Sequence, residues 1–152
     1  LVATPMQLAN YAALLASKGQ YSEPSLVALG NQKKLLRTWQ DERFNNSDWA
    51  KMHEALLGVI ESDDGTARSL RDLKDFQVAG KSGTAELVSL DSKEAYQELR
   101  SSELLRDHSI IIAFGPMPNP RYAVSVVIEN GESGGAVAGP VAIEVLKSLI
   151  NE

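Results

Sequence analysis

The 152-residue chain contains no cysteine. That absence excludes zinc ribbons and thiol chemistry and leaves the redox compartment open. An excess of positive charge is missing as well: 15 Lys and Arg stand against 20 Asp and Glu. A nucleic-acid surface needs clustered cations, and Lys33, Lys34 and Arg37 make only a small solvated patch. No nucleic-acid partner is therefore expected. Long apolar runs are lacking too. The longest, Ser109 to Phe114 and Tyr122 to Ile128, fall far short of the ~20 residues of a membrane-spanning helix. Repeats, low-complexity tracts, interdomain linkers and a signal peptide are all missing from the sequence. The first residue is Leu rather than Met, and the chain reads as a piece of something longer, so absent N-terminal signals carry little weight. Its length suits about one domain with a core of its own.

What is present has the pattern of a mixed fold. Thr4-Pro5-Met6-Gln7 forms a helix start, with Thr4 as cap, Pro5 in the first turn and Gln7 closing a capping box. Leu8, Tyr11 or Ala12, and Leu15 follow at helical spacing, and Gly19 is a stop. Residues 21–29 read as an extended edge segment interrupted by Pro24, and 31–46 as a polar loop with a helical turn. Ser47 is expected to cap a second helix with Trp49, Met52, Leu56 and Val59 or Ile60 on one stripe, ending near Asp63-Asp64-Gly65. A strand is expected over 77–88, then a polar, partly helical connection over 89–107. Strands at 109–115 and 121–129 are joined by the rigid link Pro116-Met117-Pro118-Asn119-Pro120, as in an antiparallel hairpin. A last helix over 136–150 should bury Val141, Val145, Leu146 and Leu149. The order predicts an α+β fold, an antiparallel sheet flanked by helices.

Within the 77–88 strand lies Lys81-Ser82-Gly83-Thr84, a cation, two hydroxyls and a glycine. An extended chain puts alternate side chains on one face and its N–H groups along an edge. Such a strand can hold an anion by its hydroxyls and offer an N–H to a developing oxyanion, while Gly83 lets a ligand approach the backbone. Taken alone, the same four residues read equally well as a surface strand.

Three other motifs fall to inspection. Gly80-Lys81-Ser82 lacks the glycine that a phosphate-binding loop needs five positions earlier, where Asp75 stands, and a strand follows instead of a helix. Gly131-Glu132-Ser133-Gly134-Gly135 fits a nucleophile elbow, but neither His53 nor His108 lies downstream of Ser133. A glycine-rich turn into the last helix is the better reading. His53-Glu54 begins a zinc motif whose fifth position is Leu57, so no metal pair forms. His53 is expected to be an ordinary helix residue and His108 to hydrogen-bond locally.

The lysine motif is not isolated. Thr4-Pro5-Met6-Gln7-Leu8-Ala9, Gly65-Thr66-Ala67, Val78 to Glu86, Leu105-Arg106-Asp107-His108 with Ile110 to Phe114, Pro120 to Val124, and Ser133-Gly134-Gly135 with Pro140 resemble, in this order, segments of the class B penicillin-binding proteins. The Arg106-Asp107-His108 wording is most similar to the elongation-type penicillin-binding protein 2 group. The resemblance covers nearly the whole chain. It implies a partial penicillin-binding transpeptidase (serine β-lactamase-like) fold, with residues 1–152 the C-terminal portion of one transpeptidase domain.

Catalysis in that family also uses S-x-x-K, which carries the nucleophile, and S-x-N. No serine here has Lys three positions on or Asn two positions on. The resemblance therefore implies a fragment that carries the third motif without the nucleophile and is inactive alone. Its parent would be a periplasmic D,D-transpeptidase at the bacterial inner membrane, anchored outside this chain. It would cross-link peptidoglycan stem peptides ending in D-Ala-D-Ala, bind β-lactam antibiotics, work with cell-wall elongation proteins and use no cofactor or metal.

Lys81 would supply positive potential, and the hydroxyls of Ser82 and Thr84, with Gly83 giving access, would bind the ligand carboxylate. The Thr84 N–H would be one of two oxyanion donors, an interaction worth ~3–4 kcal/mol. Substrate would lie along the strand edge. Two rival classes remain: a non-catalytic sensor domain of the same fold that holds β-lactams or peptides, and a hydrolase using Ser133. Cleavage without cross-linking, or β-lactam hydrolysis, would use the same machinery.

Overall fold

The computed structural model describes residues 3–24, 36–38, 43–86 and 106–151. Helix α1 (Pro5–Ala16) opens on the expected box: the Gln7 N–H donates to Thr4 Oγ1 (3.3 Å) and the Thr4 N–H to Gln7 Oε1 (2.8 Å). It stops at Gly19, whose φ of 92° lets its N–H return to the Leu14 carbonyl (2.8 Å).

Two short strands, β1 (Gln20–Ser22) and β2 (Leu36–Thr38), pair antiparallel. The polar stretch expected as loop and helical turn thus contains a strand; residues 25–35 and 39–42 lie outside the described residues. Helix α2 (Asn46–Glu61) is capped by Asn45 rather than Ser47. Asn45 Oδ1 accepts the Ser47 N–H (2.8 Å), and Asp48 Oδ2 returns to the Asn45 N–H (2.9 Å). Asp48 is what decides the cap, because it stands three residues after Asn45 and closes the box.

A 3-10 turn (Arg68–Leu73) leads into β3 (Ala79–Ala85), which pairs antiparallel with β4 (His108–Gly115). β4 pairs in turn with β5 (Tyr122–Ile128), giving one three-stranded antiparallel sheet in the order β3-β4-β5. β3 is shorter than the expected 77–88 strand. Before it, the Gln77 carbonyl accepts the Met117 N–H (2.9 Å) from the hairpin link, and after it Leu87 and Val88 lie outside the described residues, as do 89–105.

A π-helical turn (Gly134–Ala138) precedes helix α3 (Gly139–Ile150). The last α-helix thus starts three residues later than expected. The Ser133 side chain caps the π turn through the Ala136 N–H (3.3 Å), and the Gly139 N–H reaches back five residues to the Gly134 carbonyl.

The sheet is buried on both faces. Toward α3 and the 3-10 turn lies a core of Ile60, Leu70, Val78, Ile111, Val124, Ile143 and Leu146. Toward α1 and α2 lies another, of Ala12, Leu15, Trp49, Leu56, Ile112 and Phe114. Each large side chain so buried contributes about 1.5–3 kcal/mol. These layers make an α+β fold, as the element order predicts. On α3 the inner stripe is Gly139, Ala142, Ile143 and Leu146, not Val141 and Val145, which are 44% and 41% exposed. The small residues face inward because Leu70 presses on Gly139: a Cβ there would meet the leucine side chain at 2.8 Å.

Candidate functional site

β3 begins inside the protein and ends outside it. Ala79 and Gly80 are buried, whereas Lys81, Gly83 and Thr84 are exposed and Ser82 is half-buried. Among the described residues, β3 pairs on one side only, so its outer edge is open. Strand alternation separates the four candidate residues. Lys81 and Gly83 share the face of Ala79, the α1–α2 side; Ser82 and Thr84 share the face of Gly80, the α3 side.

The two faces hold their groups differently. A Cβ placed on Gly83 would meet only the Ile110 Cβ, at 3.9 Å, so packing does not demand glycine here and the space beside it is free among the described residues. On the other face, the Ser82 hydroxyl lies 2.9 Å from Thr66 Oγ1, and the Thr84 hydroxyl donates to the Glu132 carbonyl at 3.2 Å. Gly134 rides directly on the ladder; a Cβ on it would fall 2.2 Å from the Ile110 carbonyl oxygen and 2.5 Å from that of Gly83.

Backbone direction follows from the contacts of Gly134. The Gly83 N and O lie with the Ile110 carbonyl oxygen within 3 Å of one point above the ladder, so Gly83 turns its groups toward β4 and Ser82, whose carbonyl accepts Lys81 Nζ at 2.5 Å, turns its own toward the open edge. In an antiparallel ladder, residues two apart turn the same way. The Thr84 N–H therefore also faces the open edge. The edge thus offers an outward N–H at Thr84, flanked by the Ser82 hydroxyl on the α3 face and the Lys81 ammonium on the other, groups of the kinds that bind anions.

The remaining candidates sit apart from this edge. The Nε2–H of His53 donates to the Leu15 carbonyl (2.7 Å), tying α2 to α1, and His108 Nδ1 accepts the Asn130 N–H (3.0 Å). His108 hydrogen-bonds beside its own strand, whereas His53, expected to be an ordinary helix residue, is buried between the two helices. Ser133 caps the π turn, as the turn reading requires. Sequence reasoning missed Thr66 and the Glu132 carbonyl as partners of the site. The only sequence signal for either was the Gly65-Thr66-Ala67 segment.

The description "Penicillin binding protein transpeptidase domain" matches residues 1–147. A peptidoglycan D,D-transpeptidase MrdA of Acinetobacter baumannii is 37% identical over 90% of this chain and 21% of its own length. The crystal structure of Pseudomonas aeruginosa PBP2 in complex with WCK 5153 superposes with a TM-score of 0.76 at 30% identity, over 99% of this chain and 31% of that one. Penicillin-binding protein A from M. tuberculosis, as a ceftriaxone acyl-enzyme complex, gives 0.66 at 26% identity, over 95% of this chain and 32% of that one. The chain thus spans about a fifth to a quarter of the length of the curated relatives it matches. Matched over residues 1–147, the chain belongs to the penicillin-binding protein transpeptidase domain family and is similar to PBP2-type members of it.

Proposed function

We propose that this chain is the C-terminal, substrate-holding portion of a serine D,D-transpeptidase that cross-links peptidoglycan at the periplasmic face of the inner membrane. The observation that carries the reading is the open edge of β3, flanked by the Lys81 ammonium on one face and the Ser82 hydroxyl on the other, with the Thr84 N–H along it.

In the proposed reaction, a serine supplied by another part of the parent protein attacks the amide carbonyl of a D-Ala-D-Ala stem peptide. The carbon–nitrogen bond breaks, D-Ala leaves with a proton, and an acyl ester forms. An amine from a second stem peptide then attacks the ester and releases the serine. The Thr84 N–H stabilises the oxyanion, Lys81 supplies positive potential, and Ser82 holds the terminal carboxylate. Thr84 contributes its hydroxyl as well only by turning it away from Glu132. A β-lactam occupies the same edge, and the ceftriaxone acyl-enzyme of the mycobacterial relative supports that likeness. Among the described residues no helix is long and apolar enough to cross a membrane; the proposed anchor, and the contacts to elongation proteins, belong to the parent.

The test compares this chain alone with its full-length parent, each incubated with a fluorescent penicillin. The parent should be labelled and the isolated chain should not. Lys81→Ala in the parent should slow acylation by about 100-fold, the scale of a lost transition-state interaction. A stoichiometric adduct on the isolated chain would overturn the assignment of the nucleophile. An unaltered rate in the Lys81 variant would overturn the role of β3. A parent that holds penicillin only reversibly would be a sensor rather than an enzyme.

A further inference from the structure

We infer that Thr66 is a positioning residue for the Ser82 hydroxyl, setting the donor that meets a ligand carboxylate; this rests on the reading of β3 just proposed. The two oxygens lie 2.9 Å apart across sixteen residues of sequence.

Proton counting gives the direction of that bond when an anion is present. A hydroxyl carries one proton and accepts up to two bonds. The Thr84 proton goes to the Glu132 carbonyl, so Ser82 is left to supply the hydroxyl donor at the edge. A carboxylate cannot donate in return. Once Ser82 gives its proton to the anion, it can only accept from Thr66. Thr66 then donates to Ser82, and a donor that is itself receiving a hydrogen bond is strengthened. The pair acts as a short chain ending at the anion.

The backbone around Thr66 is built to hold this orientation. On one side, a Cβ on Gly65 would fall 2.4 Å from the Val59 carbonyl oxygen. On the other, Ala67 is buried and its N–H donates to that same carbonyl at 2.9 Å. From the π turn, Gly135 approaches so closely that a Cβ there would sit 2.8 Å from the Thr66 carbonyl oxygen. Downstream, buried Lys74 pairs with Glu61 at the end of α2, and Arg71 Nη1 donates to the Glu61 carbonyl at 3.2 Å. Thr66 itself is exposed. Its neighbours are locked on three sides while its hydroxyl faces the strand.

The experiment uses the full-length parent with Thr66→Val, which keeps the shape and removes the proton, Thr66→Ser, which restores it, and Ser82→Ala. Acylation rates are measured with benzylpenicillin, with its methyl ester, and with a thioester stem-peptide donor that keeps its terminal carboxylate. Thr66→Val should slow benzylpenicillin about tenfold, the scale of one hydrogen bond between neutral groups. The ester, which presents no anion, should lose no more than about twofold, and Thr66→Ser should recover most of the loss. An equal loss with the thioester donor extends the role to the peptide terminus; a loss with penicillin alone confines it to β-lactams, and both uphold the inference. Equal loss on ester and acid, or a serine variant as slow as the valine one, would show a merely structural residue and overturn it. If Ser82→Ala slows acylation but Thr66→Val does not, the inference fails and the proposed function stands. If Ser82→Ala changes nothing, both fail.

Discussion

Toward α3, the sheet meets Ile143 and Leu146 at full burial, and the hydroxyls of Ser82, Thr84 and Ser109 are all hydrogen-bonded. Toward α1 and α2, the core of Trp49, Leu56 and Phe114 reaches β3 at Ala79, and Lys81 and Gly83 beyond it stand exposed. One strand is thus anchored from one side and available from the other. Its two-residue alternation allows both at once, because packed and exposed residues interleave on opposite faces, with Ser82 held by Thr66 beside the edge. A site that must be both rigid and accessible is easier to build on a strand at the sheet's edge than on a loop.

The largest expected effect breaks the contrast at its base. Phe114 is fully buried beneath the α1–α2 side, and Phe114→Ala should cost about 3–5 kcal/mol in denaturant unfolding of the parent domain. Next comes the anchored face. Gly134→Ala forces a methyl group against the Ile110 and Gly83 carbonyls, with a loss of about 1–3 kcal/mol. That variant should also slow penicillin acylation, because the intruding group pushes on the strand at Gly83. Unchanged acylation in a destabilised Gly134 variant would show that the anchoring has no bearing on the site. Ser133→Ala removes one capping bond to the Ala136 N–H, worth about 1 kcal/mol, and should leave acylation unaltered. The smallest effect sharpens the inside–outside boundary of α3. Val141→Ser, on the exposed side, should change stability by no more than about 0.5 kcal/mol, whereas Ile143→Ala should cost about 2–5 kcal/mol.

The sheet was legible because its signals are local and agree with one another. β4 and β5 are Ile- and Val-rich runs on either side of a proline-dense link, and no competing period runs through them. The inner face of α3 was not legible. Its sequence Gly139-Pro140-Val141-Ala142-Ile143-Glu144-Val145-Leu146 is apolar nearly all round, so two stripes fit the helical period equally well. What selects the stripe is the small residues that let Leu70 and the sheet come close, and volume complementarity of that kind involves partners distant in sequence. The cap of α2 was missed by two residues for a milder reason: Asn45 and Ser47 are both good caps, and the spacing to Asp48 decides between them.

Lys81, Ser82 and Thr84 were identifiable as a chemical set because they are contiguous. That Ser82 faces Thr66 and Thr84 faces Glu132 follows only from the packing of the π turn and the Gly65 turn beneath β3, contacts that span 16 and 48 residues.

The bend of Lys81 back onto the Ser82 carbonyl has a consequence for the protein as a solute. An exposed strand edge is a template on which any extended chain, including another copy of the same protein, can lengthen the sheet. With the ammonium resting on one of its outward acceptors, the edge of β3 does not present a bare row of backbone groups. A passing strand must displace a hydrated cation before it can register. In the proposed function, a short peptide carrying its own anion would face no such barrier, since its charge would be attracted by the group that obstructs the others. Under that proposal, resistance to edge-to-edge association and choice of guest would rest on the same side chain.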